Sequence, residues 1–315
     1  MSALLLAITR WDPTLWAERF RTLSPGRDVR VWPDDVGEPA AVAYACAWMP
    51  PQGLLATFPN LRVIFSLGAG VDHLLSDPSL PNLPIVRIVD PDLTMRMTEY
   101  VTLHVLLHHR RQRLYDAQQR DRLWRDHDQP AASEVSVGVM GFGTLGRAAA
   151  AMLSRLGFNV AAWSRTPKAP TGIELFHGQD GLDAFLSRSE ILVVLVPSTP
   201  ATEGLLSLAL LRKLKHDGAL GGPVLINAGR GKLQIDADVV AALDEGSLIG
   251  ASLDVFPIEP LPSESPLWSH PKVFVTPHNA AASVPRRLVS YVLSQIERFE
   301  AGDALDNVID RTTGY

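Results

Sequence analysis

The chain has 315 residues, one cysteine, 29 basic and 34 acidic side chains, a net charge of −5 and 46% hydrophobic residues. At roughly 150 residues per domain, this length predicts two domains with cores of ordinary size. The acidic balance argues against a nucleic-acid partner, whose phosphates need a basic surface, and against an anionic membrane. The lone cysteine, Cys46, excludes an internal disulfide framework and a cysteine-rich metal site.

The apolar run Leu4–Thr9 lacks the leading positive charge and small-residue cleavage site of a secretion signal, so it reads as a first buried strand. No window approaches about 18 uncharged apolar residues, so no membrane span is expected, and the cytoplasm is the expected location. Pro13–Leu23 spaces Leu15, Trp16, Arg19, Phe20 and Leu23 at helical intervals. Short strands are predicted at Val29–Trp32, Ala43–Trp48, Leu61–Leu67 and Ile85–Val89. Strands alternating with helices imply βαβ units and parallel sheets.

From Met97 to about Arg125 the chain has no Gly or Pro and predicts one long helix, closed by the polar stretch before Pro130. His104 and His108 stand at i, i+4 on it. A zinc-peptidase pattern would need Glu where Val105 stands, so both read as helix-surface or interface residues and no metal is expected. A second βαβ series follows. Its strands are Val135–Met140, Asn159–Trp163, Ile191–Val196, Val224–Asn227, Ile249–Asp254 and Val273–Thr276, with helices at Leu145–Leu156 and from Pro285 to about Glu300.

Gly141-Phe-Gly143-Thr144-Leu145-Gly146 is a G-x-G-x-x-G between a strand and a helix. Gly141 suits a tight turn, Gly143 lets backbone approach a pyrophosphate, and Gly146 lets helix pack on strand. The helix start at Thr144 and Leu145 offers free N–H groups to phosphate. A P-loop shares the outer glycine spacing but fails, because Arg147-Ala148 stands where Lys-Ser/Thr is needed. An NAD site normally carries an acid at the end of the next strand. Here the chain reads Ser164-Arg165-Thr166-Pro167-Lys168, whose cations and hydroxyls suit a 2′-phosphate. NADPH is therefore expected over NADH; the alternative is that Arg165 and Lys168 are solvated loop cations. Gly68-Ala69-Gly70 after a strand forms either an anion-binding nest or an ordinary glycine turn. Trp48 reads either as a pocket wall or as a core residue.

Three further motifs lie at strand ends: Asn227-Ala-Gly-Arg230-Gly, Asp254-Val-Phe with Glu259-Pro260-Leu261, and Thr276-Pro-His278-Asn. A cation, a carboxylate and a histidine there make a coherent acid–base set, although each alone has a structural reading.

With these motifs in order, the whole chain resembles the D-isomer-specific 2-hydroxyacid dehydrogenases. It is most similar to their glyoxylate/hydroxypyruvate reductase A branch, through Ser66–Asp72, Trp163–Thr166, Glu259–Pro262, Ser265–Trp268 and Asp310–Tyr315. The resemblance implies two Rossmann-like domains, one flavodoxin-like and one dinucleotide-binding, with a cleft between them. It sets residues 1–100 plus 286–315 as a discontinuous substrate domain and 101–285 as the dinucleotide domain, with hinges near Met97–Leu103 and Ala282–Pro285. It assigns Arg230 to the carboxylate and carbonyl of a 2-oxo acid, His278 to the general acid and Glu259 to the carboxylate bonded to that histidine. A nearby anion favours the imidazolium. Gly68–Gly70, through Ala69 and Gly70, would grip the substrate carboxylate. Pro197 and Thr202 would line the adenosine side, or form a Pro-rich turn. Asp254 would lie near the nicotinamide carboxamide, or serve the turn at its strand end.

Formate dehydrogenases carry Gln where Glu259 stands, and only 37 residues follow His278, too few for the regulatory domain of many phosphoglycerate dehydrogenases. Erythronate-phosphate chemistry stays open on pattern alone, although no phosphate-clamping cluster of cations stands in the first domain. The expected activity is NADPH-dependent reduction of glyoxylate and hydroxypyruvate in a homodimer, with Trp124 reaching a partner subunit or packing as an exposed arm. The alternatives are another 2-oxo acid such as a phenylpyruvate-like one, an NADH-linked enzyme, and a non-catalytic NAD(P)H sensor.

Overall fold

The computed structural model of the protein describes residues 2–311; the terminal Thr312-Thr313-Gly314-Tyr315, part of the resemblance above, lies outside the described residues. The chain divides into two units: residues up to Leu93 together with those from Ser283 onward, and Thr94–Ala282.

The first unit is laid down by β1 (Ala3–Ile8), α1 (Thr14–Leu23), β2 (Val29–Val31), β3 (Val42–Trp48), β4 (Val63–Ser66), α2 (Asp72–Leu75) and β5 (Ile85–Val86). These strands form a parallel sheet in the order β2-β1-β3-β4-β5. β1 and β3 are apolar along their whole length and buried throughout, as strands covered on both faces must be. Cys46 lies inside β3, where burial pushes its thiol pKa up and leaves it inert.

The predicted long helix is two helices. α3 (Pro91–His109) starts six residues earlier than expected, with Pro91 at its first position, where a missing N–H costs nothing. It ends at a break, Arg111 adopting a left-handed φ of 54°, before α4 (Gln112–Arg120). No Gly or Pro marks that break, so periodicity alone carried the prediction through it.

The second unit continues with β6 (Ser136–Met140), α5 (Thr144–Arg155), β7 (Asn159–Ser164), β8 (Glu174–His177), α6 (Leu182–Ser187), β9 (Ile191–Val194), α7 (Leu208–Leu211), β10 (Val224–Asn227), α8 (Asp236–Glu245), β11 (Gly250–Leu253) and β12 (Val273–Val275). Its parallel sheet runs β12-β11-β10-β9-β6-β7-β8, with β6 at the point where the order reverses. β8 was not anticipated: Glu-Leu-Phe-His is short, sits at the edge and buries neither terminal side chain. The final helix, α9 (Pro285–Glu300), returns to the first unit, where Leu288, Val289, Val292 and Ile296 join the core of β1, β3 and β4.

His104 and His108 do not lie on an open helix face. Both rings point from α3 at Ser252 on β11, His104 Nδ1 and His108 Nε2 each 2.8 Å from its hydroxyl oxygen, and both pack on Phe274 of β12. One hydroxyl has one proton, so it donates to one ring and accepts from the other, and two neutral imidazoles satisfy it. Burial pushes His104 down to about 4 and His108 to about 3, the latter also through His104 and Arg113. The unfolded chain therefore binds protons first as pH falls below the ordinary histidine value of about 6.5. Stability should fall between about pH 6.5 and pH 4, by up to about 1.4 kcal/mol per pH unit for His104. Urea unfolding at a series of pH values checks this: His104→Gln should flatten the slope, and an unchanged slope would refute the assignment.

Candidate active site

The candidate residues of the second unit hang from the C-terminal ends of its strands, where open parallel sheets present their ligand-binding loops. The glycine loop follows β6. Gly141 has φ +108°, which side-chain-bearing residues rarely adopt, and its N–H donates to Trp163 O at 2.9 Å. A Cβ on Gly146 would lie 1.8 Å from the Gly141 carbonyl oxygen, so only glycine lets α5 start this close to β6. A Cβ on Gly143 would meet nothing within 4 Å, and this residue caps α5 without a side-chain hydrogen bond. The first N–H groups of a 12-residue helix, at Thr144 and Leu145, thus lack a side-chain cap. A bare cradle at a positive helix end fits a dinucleotide pyrophosphate.

Ser164 ends β7 and is buried, its hydroxyl donating to Thr166 O at 2.8 Å. That bond shapes the turn on which Arg165, Thr166 and Lys168 stand exposed. Beyond β9, the Thr202 hydroxyl donates to Pro197 O and accepts the Thr199 N–H, both at 2.8 Å, so it closes the 197–202 loop on itself.

Arg230 follows β10 in an extended conformation and is half-buried. Its Nη1 donates to Gly229 O at 2.8 Å. Asn227, fully buried, braces the loop: its Nδ2 donates to Arg230 O and Gln234 Oε1, and its Oδ1 accepts the Gly229 N–H. At Gly231 a Cβ would fall 1.9 Å from the Phe256 carbonyl, so the Arg230 loop lies directly on the loop after β11. Neither Asn227 nor Gly231 was singled out from sequence as a site residue, although both stand inside the quoted motif.

That loop carries Glu259. Its Oε1 accepts the Phe256 N–H at 3.0 Å and its Oε2 lies 2.8 Å from His278 Nδ1. A carboxylate only accepts, so Nδ1 is the protonated nitrogen facing Glu259. The two side chains are only partly covered, at 34% exposed for His278 and 18% for Glu259. Asp254, 1% exposed, accepts from Asn279 N and Ala280 N, both at 3.0 Å, and from Thr276 Oγ1 at 2.6 Å. Its carboxylate is thus committed to the turn that carries His278. Among the described residues, no cluster of three or more metal-ligating side chains occurs and no helix is long and apolar enough to cross a membrane.

In the first unit, Trp48 ends β3 and is 9% exposed. It stacks on Trp11, ring centroids 4.6 Å apart, and covers Gly68, where a Cβ would fall 2.1 Å from its ring. Trp48 is therefore a core residue as well as a cover for the Gly68–Gly70 loop. Ser66, buried at the end of β4, lies 3.0 Å from Gly70 O and 3.2 Å from Gly68 O, within donating distance of both, and accepts the Gly68 N–H at 3.4 Å. The loop is therefore shaped by a side chain that motif spacing did not mark. Ala69 and Gly70 are partly exposed on it.

The glycine geometry gives a contrast. Gly143→Ala should leave the melting temperature within about 2 °C but weaken nicotinamide-dinucleotide binding at least about tenfold, because a methyl group enters the open cradle. Gly146→Ala should lower the melting temperature itself, by several degrees, because backbone must move. Calorimetry with dinucleotide titration distinguishes the two; equal thermal effects would contradict the geometry.

Residues 102–280 match the family model described as the NAD binding domain of D-isomer specific 2-hydroxyacid dehydrogenases. A glyoxylate/hydroxypyruvate reductase A of Yersinia enterocolitica is 37% identical over 95% of this chain and 96% of its own length. One from Photorhabdus laumondii is 38% identical over 97% of each. Among solved structures, the NADPH-dependent glyoxylate/hydroxypyruvate reductase of Sinorhizobium meliloti, in complex with NADP and sulfate, matches with a TM-score of 0.94 and 45% identity over 100% of both chains. A probable 2-hydroxyacid dehydrogenase of Rhizobium etli, in complex with NADP, HEPES and L(+)-tartaric acid, matches at 0.93 with 47% identity over 100% of this chain and 99% of that one. With both the ordered motifs and near-complete coverage in agreement, the chain belongs to the D-isomer specific 2-hydroxyacid dehydrogenases.

Proposed function

We propose that the protein reduces small 2-oxo acids with NADPH, glyoxylate to glycolate and hydroxypyruvate to D-glycerate, with His278 as the general acid. The observation that carries this reading is the Glu259–His278 pair at 2.8 Å, with Glu259 on a loop packed against that of Arg230. Two relatives named glyoxylate/hydroxypyruvate reductase A and the NADP-bound structures support it.

When bound, the dihydronicotinamide supplies a hydride to the carbonyl carbon. Arg230 holds the substrate: a planar guanidinium donates to carboxylate and carbonyl oxygens together and draws charge toward the carbonyl. Glu259 keeps Nδ1 protonated and stabilises the imidazolium, so Nε2 delivers a proton to the carbonyl oxygen as the alcohol forms. Ala69 and Gly70 offer backbone N–H groups and Trp48 an aromatic face on the substrate side. Arg165, Thr166 and Lys168, with the turn of Ser164, take the 2′-phosphate; Pro197 and Thr202 shape the adenosine side. The reading includes a cytoplasmic location and a homodimer, the latter supported by Leu123 and Trp124, which lie exposed just past α4. Light scattering tests that part.

Oxidation of NADPH, followed by absorbance over a panel of 2-oxo acids, tests the activity. Glyoxylate or hydroxypyruvate should lead; a phenylpyruvate-like preference or an NADH preference would correct the reading, and no turnover at all would leave a dinucleotide-sensing protein. Arg230→Ala should lower kcat/KM by about 10²–10⁴-fold while NADPH affinity stays within about threefold, because two charge-assisted bonds go. Lost NADPH binding would contradict the role of Arg230. Arg165→Ala should cut the preference for NADPH over NADH at least about tenfold; an unchanged preference would make Arg165 a solvated loop cation.

A further inference from the structure

His278 sits in a conformation its own chemistry does not favour. Its φ is +52°, in the left-handed region that side-chain-bearing residues seldom adopt unless neighbours impose it. The structure shows what imposes it. The His278 N–H donates to the Asp254 carbonyl at 2.8 Å, and the next two N–H groups, of Asn279 and Ala280, each donate to the Asp254 carboxylate at 3.0 Å. The third donor to that carboxylate is Thr276 Oγ1, at 2.6 Å.

A threonine hydroxyl has one proton, and here it goes to Asp254. The Tyr100 hydroxyl, 2.9 Å from Thr276 Oγ1, must therefore be the donor of that contact. Tyr100 is 8% exposed, on α3, and burial pushes its phenol pKa up, which keeps the proton on it. Its ring lies 4.1 Å from that of His104, which is itself bonded to Ser252 on β11, two residues before Asp254. α3 is thereby tied to the loop after β12 through a directed chain, Tyr100 to Thr276 to Asp254.

We propose that Tyr100 and Thr276 are positioning residues for the reaction: acting through Asp254, they hold the left-handed turn that aims His278 at Glu259 and at the reactant. Neither touches the reacting atoms. Remove the Tyr100 hydroxyl and Thr276 loses the bond that fixes its rotamer. Asp254 then loses a well-aimed donor, and the two backbone N–H groups it holds open more often. The kinetic part of this proposal rests on the dehydrogenase reading above; the structural part does not.

The experiment compares wild type with Tyr100→Phe, Thr276→Val and the control Val101→Ala, which removes buried apolar volume one residue along α3 without touching the chain of hydroxyls. Two quantities are read: steady-state kinetics with NADPH and the preferred 2-oxo acid, and amide hydrogen exchange at Asn279 and Ala280. In Tyr100→Phe and Thr276→Val, kcat should fall about three- to tenfold with the KM for NADPH within about twofold, and exchange at both amides should rise by a similar factor. Val101→Ala should lower the melting temperature yet keep kcat and the exchange at these amides. Wild-type kcat or wild-type exchange in both hydroxyl variants overturns the proposal, as does an equal loss in Val101→Ala. If wild type turns over no 2-oxo acid, the proposed function falls, and the exchange rates alone decide whether this chain holds the turn.

Discussion

A carboxylate with three donors holds the turn on which the rest of the site depends. Asp254 is buried at the end of β11 and takes hydrogen bonds from the Thr276 hydroxyl and from the backbone of Asn279 and Ala280. A buried charge without such partners would be costly. With them it becomes a fixed point, and the unfavourable φ of His278 is imposed by it. The imidazole then meets Glu259, whose other oxygen is anchored on the Phe256 N–H. Each member of the pair is thus held from behind by backbone, which is what precise proton transfer needs.

The same logic explains why the chemistry gathers at one end of the second unit. Parallel strands β6, β7, β9, β10, β11 and β12 all end on that side, and each end carries or is followed by a residue of interest: the glycine loop, Ser164, Pro197, Arg230, Asp254 and His278. The strands need continuous apolar runs to be buried on both faces, so they have no room for function along their length. Polar chemistry is pushed to the loops, and glycine appears where two loops or a loop and a helix must nearly touch, as at Gly146 and Gly231. The protein's mild negative charge is therefore no guide to its ligands. The sites suited to anions are local, made of uncapped N–H groups and a few arginines.

The glycine loop and the Arg230, Glu259 and His278 motifs were legible because their demands are local: a turn that tolerates only glycine, a helix start, a strand end with a charged residue at a set offset. The parallel sheets were legible for a similar reason, since strand and helix periods differ. What the sequence did not disclose depends on contacts between distant segments. Tyr100 reads as one more aromatic on a helix until Thr276, 176 residues away, is beside it. His104 and His108 look like an exposed pair until β11 and β12 cover their face. The break at Arg111 has neither Gly nor Pro to announce it. β8, a four-residue edge strand, has too little burial to leave a pattern. Asp254 shows both limits at once: its place at a strand end is readable, but which groups claim its oxygens is not.

In the proposed reaction Glu259 serves His278 as a hydrogen-bonded carboxylate, and not merely as bulk beside it. The direct measurement is the steady-state kinetics of NADPH-linked 2-oxo acid reduction in Glu259→Gln, which keeps the side-chain shape but removes the charge and one of the two acceptors that meet the Phe256 N–H and His278 Nδ1. kcat should fall about 10²-fold or more in this variant, with NADPH affinity within about threefold. Wild-type kcat in Glu259→Gln would contradict this role.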